Sequence, residues 1–92
     1  MAKHLFVTGI VQGVGYRVTF SEQARMLNLS GWVRNRLDGS VEALVAGDVQ
    51  SIEKIIAWAG HGPADALVKQ VAVTDAEDPP LTDSRFRLLP TE

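Results

Sequence analysis

The chain contains no cysteine, which excludes disulfides and thiolate zinc sites together. It also lacks a long apolar run. Nothing approaches the roughly 20 residues a membrane-spanning helix needs, and Met1-Ala2-Lys3-His4 leads into no apolar segment with a cleavage site, so the expected compartment is the cytoplasm. Neither sign of charge dominates. The formal net charge of -2 argues against a general nucleic-acid binder.

What is present suits a small soluble globule. At 92 residues the chain falls below the usual length of a domain, so residues 1–92 are read as one domain without a separate cofactor lobe. Hydrophobic residues make up 46%, enough for a core, and charged residues 22%. Charge is distributed unevenly along the chain. Residues 1–36 hold five basic residues and one acid, whereas residues 37–92 hold four and ten. An anion site built from the first 36 residues would account for that split.

Alternation from Lys3 to Val11 predicts a strand with Leu5 and Val7 on one face and Phe6 and Thr8 on the other. Tyr16, Phe20, Ala24 and Leu27 recur at helical spacing and predict a helix from Tyr16 to Leu29. Trp32–Arg36 and Ser40–Val45 flank Leu37-Asp38-Gly39, whose Asp-Gly supplies the positive φ of a tight turn, and so predict an antiparallel hairpin. Asp48 can cap a second helix carrying Val49, Ile52, Ile55, Ile56 and Ala59 on its apolar stripe, stopped by Gly60, Gly62 and Pro63. Ala66–Thr74, with Val68, Val71 and Val73, predicts a strand. Asp75–Pro80 reads as a solvated acidic loop and Ser84–Leu89 as a last short strand. The order βαββαβ with a short extra C-terminal strand predicts an α+β, ferredoxin-like sandwich with two helices on one face of a mainly antiparallel sheet. That architecture hosts many functions and selects none.

Between the first strand and first helix lies Gly9-Ile10-Val11-Gln12-Gly13-Val14-Gly15-Tyr16-Arg17. A glycine-bearing turn into a helix N-terminus gathers backbone N–H groups and the positive end of the helix dipole around one point. Arg17 in the first helical turn opposes that dipole unless an anion is held there. The bland alternative is an ordinary turn with Arg17 in water. There is no P-loop ending and no full dinucleotide fingerprint.

The second segment is Gly31-Trp32-Val33-Arg34-Asn35-Arg36-Leu37-Asp38-Gly39-Ser40-Val41. Together the two segments resemble the paired motifs of the acylphosphatase family, Gly-x-Val-Gln-Gly-Val-x-Phe/Tyr-Arg and Gly-Trp-Val-x-Asn-x-x-Asp/Gly-Gly-x-Val. The resemblance implies hydrolysis of the carboxyl-phosphate bond of acyl phosphates without metal, cofactor or covalent intermediate. It implies that Gln12, Gly13, Val14, Gly15 and Tyr16 cradle the phosphate, that Arg17 binds its oxygens, and that Asn35 orients the attacking water. The implied partners are a small acyl phosphate and inorganic phosphate, the latter as product and competitor, with no nucleic acid or membrane and a monomer as the expected form. Arg36 departs from the family, which often carries Thr there, and adds positive charge near the expected site.

Other residues are read more plainly. His4 and His61 are isolated and expected at surface or edge positions. Trp32 and Trp58 are expected to pack in the core and on a helix, and Arg25 and Arg34 are read as solvated. Two other classes of function stay open: a binding module, either RNA-reading or anion-sensing, and one module of a larger carbamoyl-phosphate-handling protein. RNA reading is disfavoured because only Phe6 supplies an exposed aromatic on the first strand.

Overall fold

In the computed structural model, which describes residues 1–78 and 85–92, strand β1 (Ala2–Ile10) buries Leu5 and Val7 and leaves Phe6 and Thr8 on the opposite face. Helix α1 spans Tyr16–Met26, ending earlier than its apolar spacing predicts. Asn28 takes up a left-handed conformation (φ 58). The N–H of Leu29 then returns to the Ala24 carbonyl and that of Asn28 to the Arg25 carbonyl, at 2.9 and 3.0 Å. This Schellman closure satisfies the last carbonyls and turns Leu29 into the core.

Strands β2 (Ser30–Asn35) and β3 (Val41–Ala46) form the expected antiparallel hairpin, with β2 beginning two residues earlier than predicted. At its tip Gly39 has φ 92, and Asp38 accepts hydrogen bonds from the Ser40 amide and hydroxyl. Those two donors hold the Asp38 carboxyl below its ordinary value. Helix α2 (Val49–Ala59) is capped as expected, Asp48 accepting from the Ser51 amide at 2.8 Å. Its buried line runs through Ile52, Ile55 and Ala59. Val49 sits roughly a quarter turn off that line and stays exposed.

Strand β4 (Leu67–Ala76) extends two residues beyond its predicted end and takes Asp75 out of the expected acidic loop, where Asp75 pairs with Lys3. A register shift at Thr8/Gly9 lets Val68 and Val71, an odd number of residues apart, both pack against the core. Val73 is exposed, as β4 lies at the sheet edge. Strand β5 (Phe86–Leu88) pairs parallel to β2. Of the segments read from sequence, Pro79, Pro80 and Ser84 lie outside the described residues.

The sheet order is β4-β1-β3-β2-β5. Strand β3 lies between β1 and β2, which α1 connects, and β1 lies between β3 and β4, which α2 connects. This is the split βαβ arrangement of the ferredoxin-like fold, with β5 added at one edge. Helix α1 packs on β2 and β5, and α2 on β1 and on α1. Between helices and sheet sit Leu5, Val7, Val33, Val41, Val45, Phe20 and Phe86, all nearly inaccessible. The Tyr16 ring joins them, near Trp58 and Phe20 (centroids 5.3 and 6.2 Å away), and its hydroxyl donates to the Ala59 carbonyl at 2.8 Å.

The helix-free face of the sheet departs from the sequence reading at several residues. Trp32 lies there, half-buried, under the Arg34 guanidinium at 4.9 Å, instead of in the core, because β2 alternates Val33 inward and Trp32 outward. His4 belongs to a strand inside the sheet, not to an edge. Its Nε2 meets Glu42 Oε2 at 2.7 Å, while Glu42 Oε1 accepts from Arg34 Nε at 2.8 Å and Arg36 Nη1 at 3.0 Å. Arg34 is therefore engaged rather than solvated, as is Arg25, which donates to the Phe86 carbonyl. Burial alone would raise the Glu42 carboxyl, but hydrogen bonds from Arg34, His4 and Arg36 outweigh it and hold the group below its ordinary value.

Candidate functional site

The turn after β1 brings the chain back sharply at Gly13 (φ 76) and Gly15 (φ 81). Both are left-handed conformations that glycine adopts without cost. A Cβ at Gly13 would meet nothing within 4 Å, and one at Gly15 only the Thr19 hydroxyl at 4.0 Å. Backbone conformation, not crowding, requires glycine here, and the space in front of the turn is open.

Gly15 is also the residue before α1, and no side chain caps the helix and no acid lies in its first turn. The contrast with α2 is direct: there the Asp48 side chain caps the helix by accepting from the Ser51 N–H. The first N–H groups of any helix have no partner within it, so those of α1 remain as donors at the positive end of its dipole. Arg17 stands beside them. Its Nη1 donates to the Leu89 carbonyl at 3.0 Å, which fixes the guanidinium and leaves other N–H groups of the fork free of that bond.

In front of this helix end is a cavity of ≈ 280 Å³ lined by Val11, Gly13, Gly15, Tyr16, Arg17, Val18 and Asn35. Asn35 reaches it from the far end of β2, the last residue before the hairpin turn. Its Oδ1 is buried and no protein group donates to it. A buried acceptor without a donor is costly unless something in the cavity supplies one. The Asn35 strand end is held in turn by the C-terminal segment: the Glu92 amide donates to the Asn35 carbonyl at 3.0 Å, and the Leu37 amide to the Glu92 carbonyl at 3.2 Å.

Of the residues singled out from sequence, Gly13, Gly15, Tyr16, Arg17 and Asn35 meet at this cavity, while Gln12 and Val14 do not line it. Val14 packs against the core. The Tyr16 side chain is buried, and burial raises its hydroxyl well above the ordinary tyrosine value, so only its backbone is available to a ligand. Arg36, next in sequence to Asn35, turns to Glu42 and contributes no lining. Val11 and Val18 line the cavity without having been singled out; Val18 follows Arg17 directly, which was a usable signal. The Leu89 carbonyl had none, since any residue offers a backbone oxygen. Among the described residues, no group of three His, Asp or Glu side chains gathers as metal ligands, and no helix is long and apolar enough to cross a membrane.

Comparison with known proteins gives the family. Residues 3–88 match the family model Acylphosphatase. The chain is 50% identical over 90 residues to an acylphosphatase of Azoarcus sp. (strain BH72), covering 98% of this chain and 90% of that one. It superimposes on the crystal structure of acylphosphatase from Bacillus subtilis with a TM-score of 0.89 at 31% identity, covering 97% and 99% of the two chains. It also superimposes on T. kodakarensis HypF with a TM-score of 0.82 at 31% identity, spanning 97% of this chain but 12% of that one. With a family model spanning nearly all of the chain and a half-identical relative over almost its full length, this protein belongs to the acylphosphatase family.

Proposed function

We propose that the chain hydrolyses the carboxyl-phosphate bond of small acyl phosphates, giving carboxylate and inorganic phosphate, without a metal ion or a covalent intermediate. One observation carries the reading: Arg17 at the start of α1 and Asn35 at the end of β2 face one cavity at a helix N-terminus that no side chain caps. The backbone N–H groups of the turn and helix end that line the cavity, at Gly13, Gly15, Tyr16 and Arg17, hold the phosphoryl oxygens, and the Arg17 fork spans two of them. Asn35 Oδ1 accepts a hydrogen bond from the attacking water and sets it in line with the scissile bond. An amide orients water but is too weakly basic to deprotonate it. Attack forms the new P–O bond as the bond to the carboxylate breaks. The departing carboxylate carries off the bonding electron pair as a good leaving group, and a phosphoryl oxygen of the substrate accepts the water's proton. The protein's contribution is position and fixed charge.

The proposal includes a single cytoplasmic domain acting as a monomer, with the acyl phosphate and inorganic phosphate as its partners and neither nucleic acid nor membrane among them. The absence of cysteine supports the cytoplasmic placement, and the net charge of -2 supports the lack of a nucleic-acid partner. The test is release of carboxylate and phosphate from a small aromatic acyl phosphate, with and without chelator, and with inorganic phosphate added. Turnover that ignores chelator and is competitively inhibited by phosphate is expected. On Asn35→Ala, kcat falls at least about a hundredfold, the scale lost when a preorganised polar group is removed, while phosphate affinity stays within a few-fold. Activity that vanishes in chelator and returns with a divalent cation overturns the metal-free reading, and phosphate binding without turnover makes the protein an anion sensor.

A further inference from the structure

We propose that Gln12 is a positioning residue: its side chain locks the phosphate cradle to the strand end that carries Asn35 and does not itself touch the substrate. This rests on the function proposed above and assigns the Gln12 side chain a task different from that of the loop in which it lies.

The Gln12 amide Nε2 donates to the Arg36 carbonyl at 2.7 Å and to the Ser40 carbonyl at 2.8 Å. Both hydrogens of the amide are thereby used. The remaining atom, Oε1, is an acceptor and has nothing to offer a phosphate oxygen. Gln12 therefore cannot hold the hairpin and an anion with its side chain at once. It is also absent from the cavity lining, although Gly13 beside it is present.

The hairpin does not need this amide in order to close. The Arg36 carbonyl already accepts from the Gly39 amide at 3.1 Å, and the Ser40 carbonyl from the Arg36 amide at 2.8 Å. Without Gln12 each carbonyl keeps a backbone partner. What the side chain adds is a tie between segments 24 and 28 residues apart. One end of the tie is the residue before Gly13, and the other clasps the neck of the hairpin at the residue after Asn35. Phosphate is held on one side of this tie and water on the other, so it sets the distance between nucleophile and phosphorus. A displacement on the order of 1 Å in that distance costs on the order of a hundredfold in rate.

The experiment is a double-mutant cycle. Gln12→Met keeps length and bulk but removes both donors, and Gln12→Ala serves as a second variant should the thioether repack the loop. Each is made in the parent and in Asn35→Ala, with kcat, KM, phosphate affinity and melting temperature measured on the same samples. The expected result is a fall in kcat of roughly ten- to a hundredfold with phosphate affinity within a few-fold of the parent. In the Asn35→Ala background, the further loss shrinks to about twofold or less, because the two residues act as one unit. Three results overturn the inference and leave the proposed function intact: phosphate affinity falling together with kcat, the full kcat loss persisting in Asn35→Ala, or parental kcat in a folded Gln12 variant. A parental kcat in Asn35→Ala alone defeats the assignment of Asn35 to water, and this inference with it.

Discussion

Replacing Arg17 by Gln is the perturbation that separates the charge of the proposed phosphate cradle from its shape. In the structure one N–H of the Arg17 guanidinium goes to the Leu89 carbonyl, and the fork borders the cavity. Two charge-assisted bonds from the fork to phosphate, at roughly 1.5 to 3 kcal/mol each, amount to roughly two to four orders of magnitude in affinity and rate combined. The effect on folding is a difference of two terms. Losing the bond to Leu89 costs about 1.5 kcal/mol or more, while removing a cation from a helix N-terminus returns roughly 0.3 to 1 kcal/mol. A net loss of about 1 kcal/mol lowers the melting temperature of a domain this size by roughly 4 to 8 °C. Arg17→Lys restores charge without the planar fork and recovers little. Isothermal titration with inorganic phosphate and initial rates on an aromatic acyl phosphate, on samples checked by thermal unfolding, provide the readout. Parental phosphate affinity in Arg17→Gln would show that the anion is held elsewhere.

Tyr16→Phe removes a hydroxyl that donates to the Ala59 carbonyl. A loss of about 1 kcal/mol in unfolding free energy is expected by denaturant titration, with kcat per folded molecule unchanged; a drop in kcat would mean the hydroxyl reaches the reaction. Gly15→Ala forces a side chain into a left-handed conformation and destabilises by roughly 1 to 2 kcal/mol without a steric clash, weakening phosphate binding as the turn relaxes; unchanged affinity would remove this turn from the cradle. The Glu42 carboxyl is lowered in the folded state, so its contribution is complete above its ordinary value of 4.5 and is lost as pH falls through the depressed value. Melting curves of parent and Glu42→Gln should therefore lie apart at neutral pH and converge in acid, and a gap that persists at low pH would contradict the linkage.

Most of the architecture was legible because apolar spacing and turn residues agree locally. Leu5 and Val7, the Asp38-Gly39 turn and the Asp48 cap each act where they stand in sequence. What escaped were decisions made between segments. The early end of α1 depends on Asn28 adopting a left-handed conformation, which asparagine permits but does not require. The outward placement of Trp32 follows from which face of β2 the helices cover, and no property of tryptophan announces it. At the site, Arg17 and Asn35 were readable through motif likeness. The Leu89 carbonyl that steadies Arg17 and the hairpin carbonyls that occupy Gln12 are backbone atoms, and no side-chain pattern encodes them.

The unequal helix ends described above have a thermodynamic corollary. A side-chain cap is worth about 1 kcal/mol, and α2 has one where α1 does not. Under the proposed function, an anion resting on α1 would satisfy such donors and bind only the folded chain, which would link occupancy to folding. At a phosphate concentration a hundred times its dissociation constant, that linkage amounts to about 2.7 kcal/mol. The ligand-free protein is then expected to be less heat-tolerant than the phosphate-bound one, and hydrogen exchange at the amides of residues 13–18 is expected to slow when phosphate is added. On that reading, stability withheld from one helix end would act as a gauge of the anion the proposed function brings to the cavity.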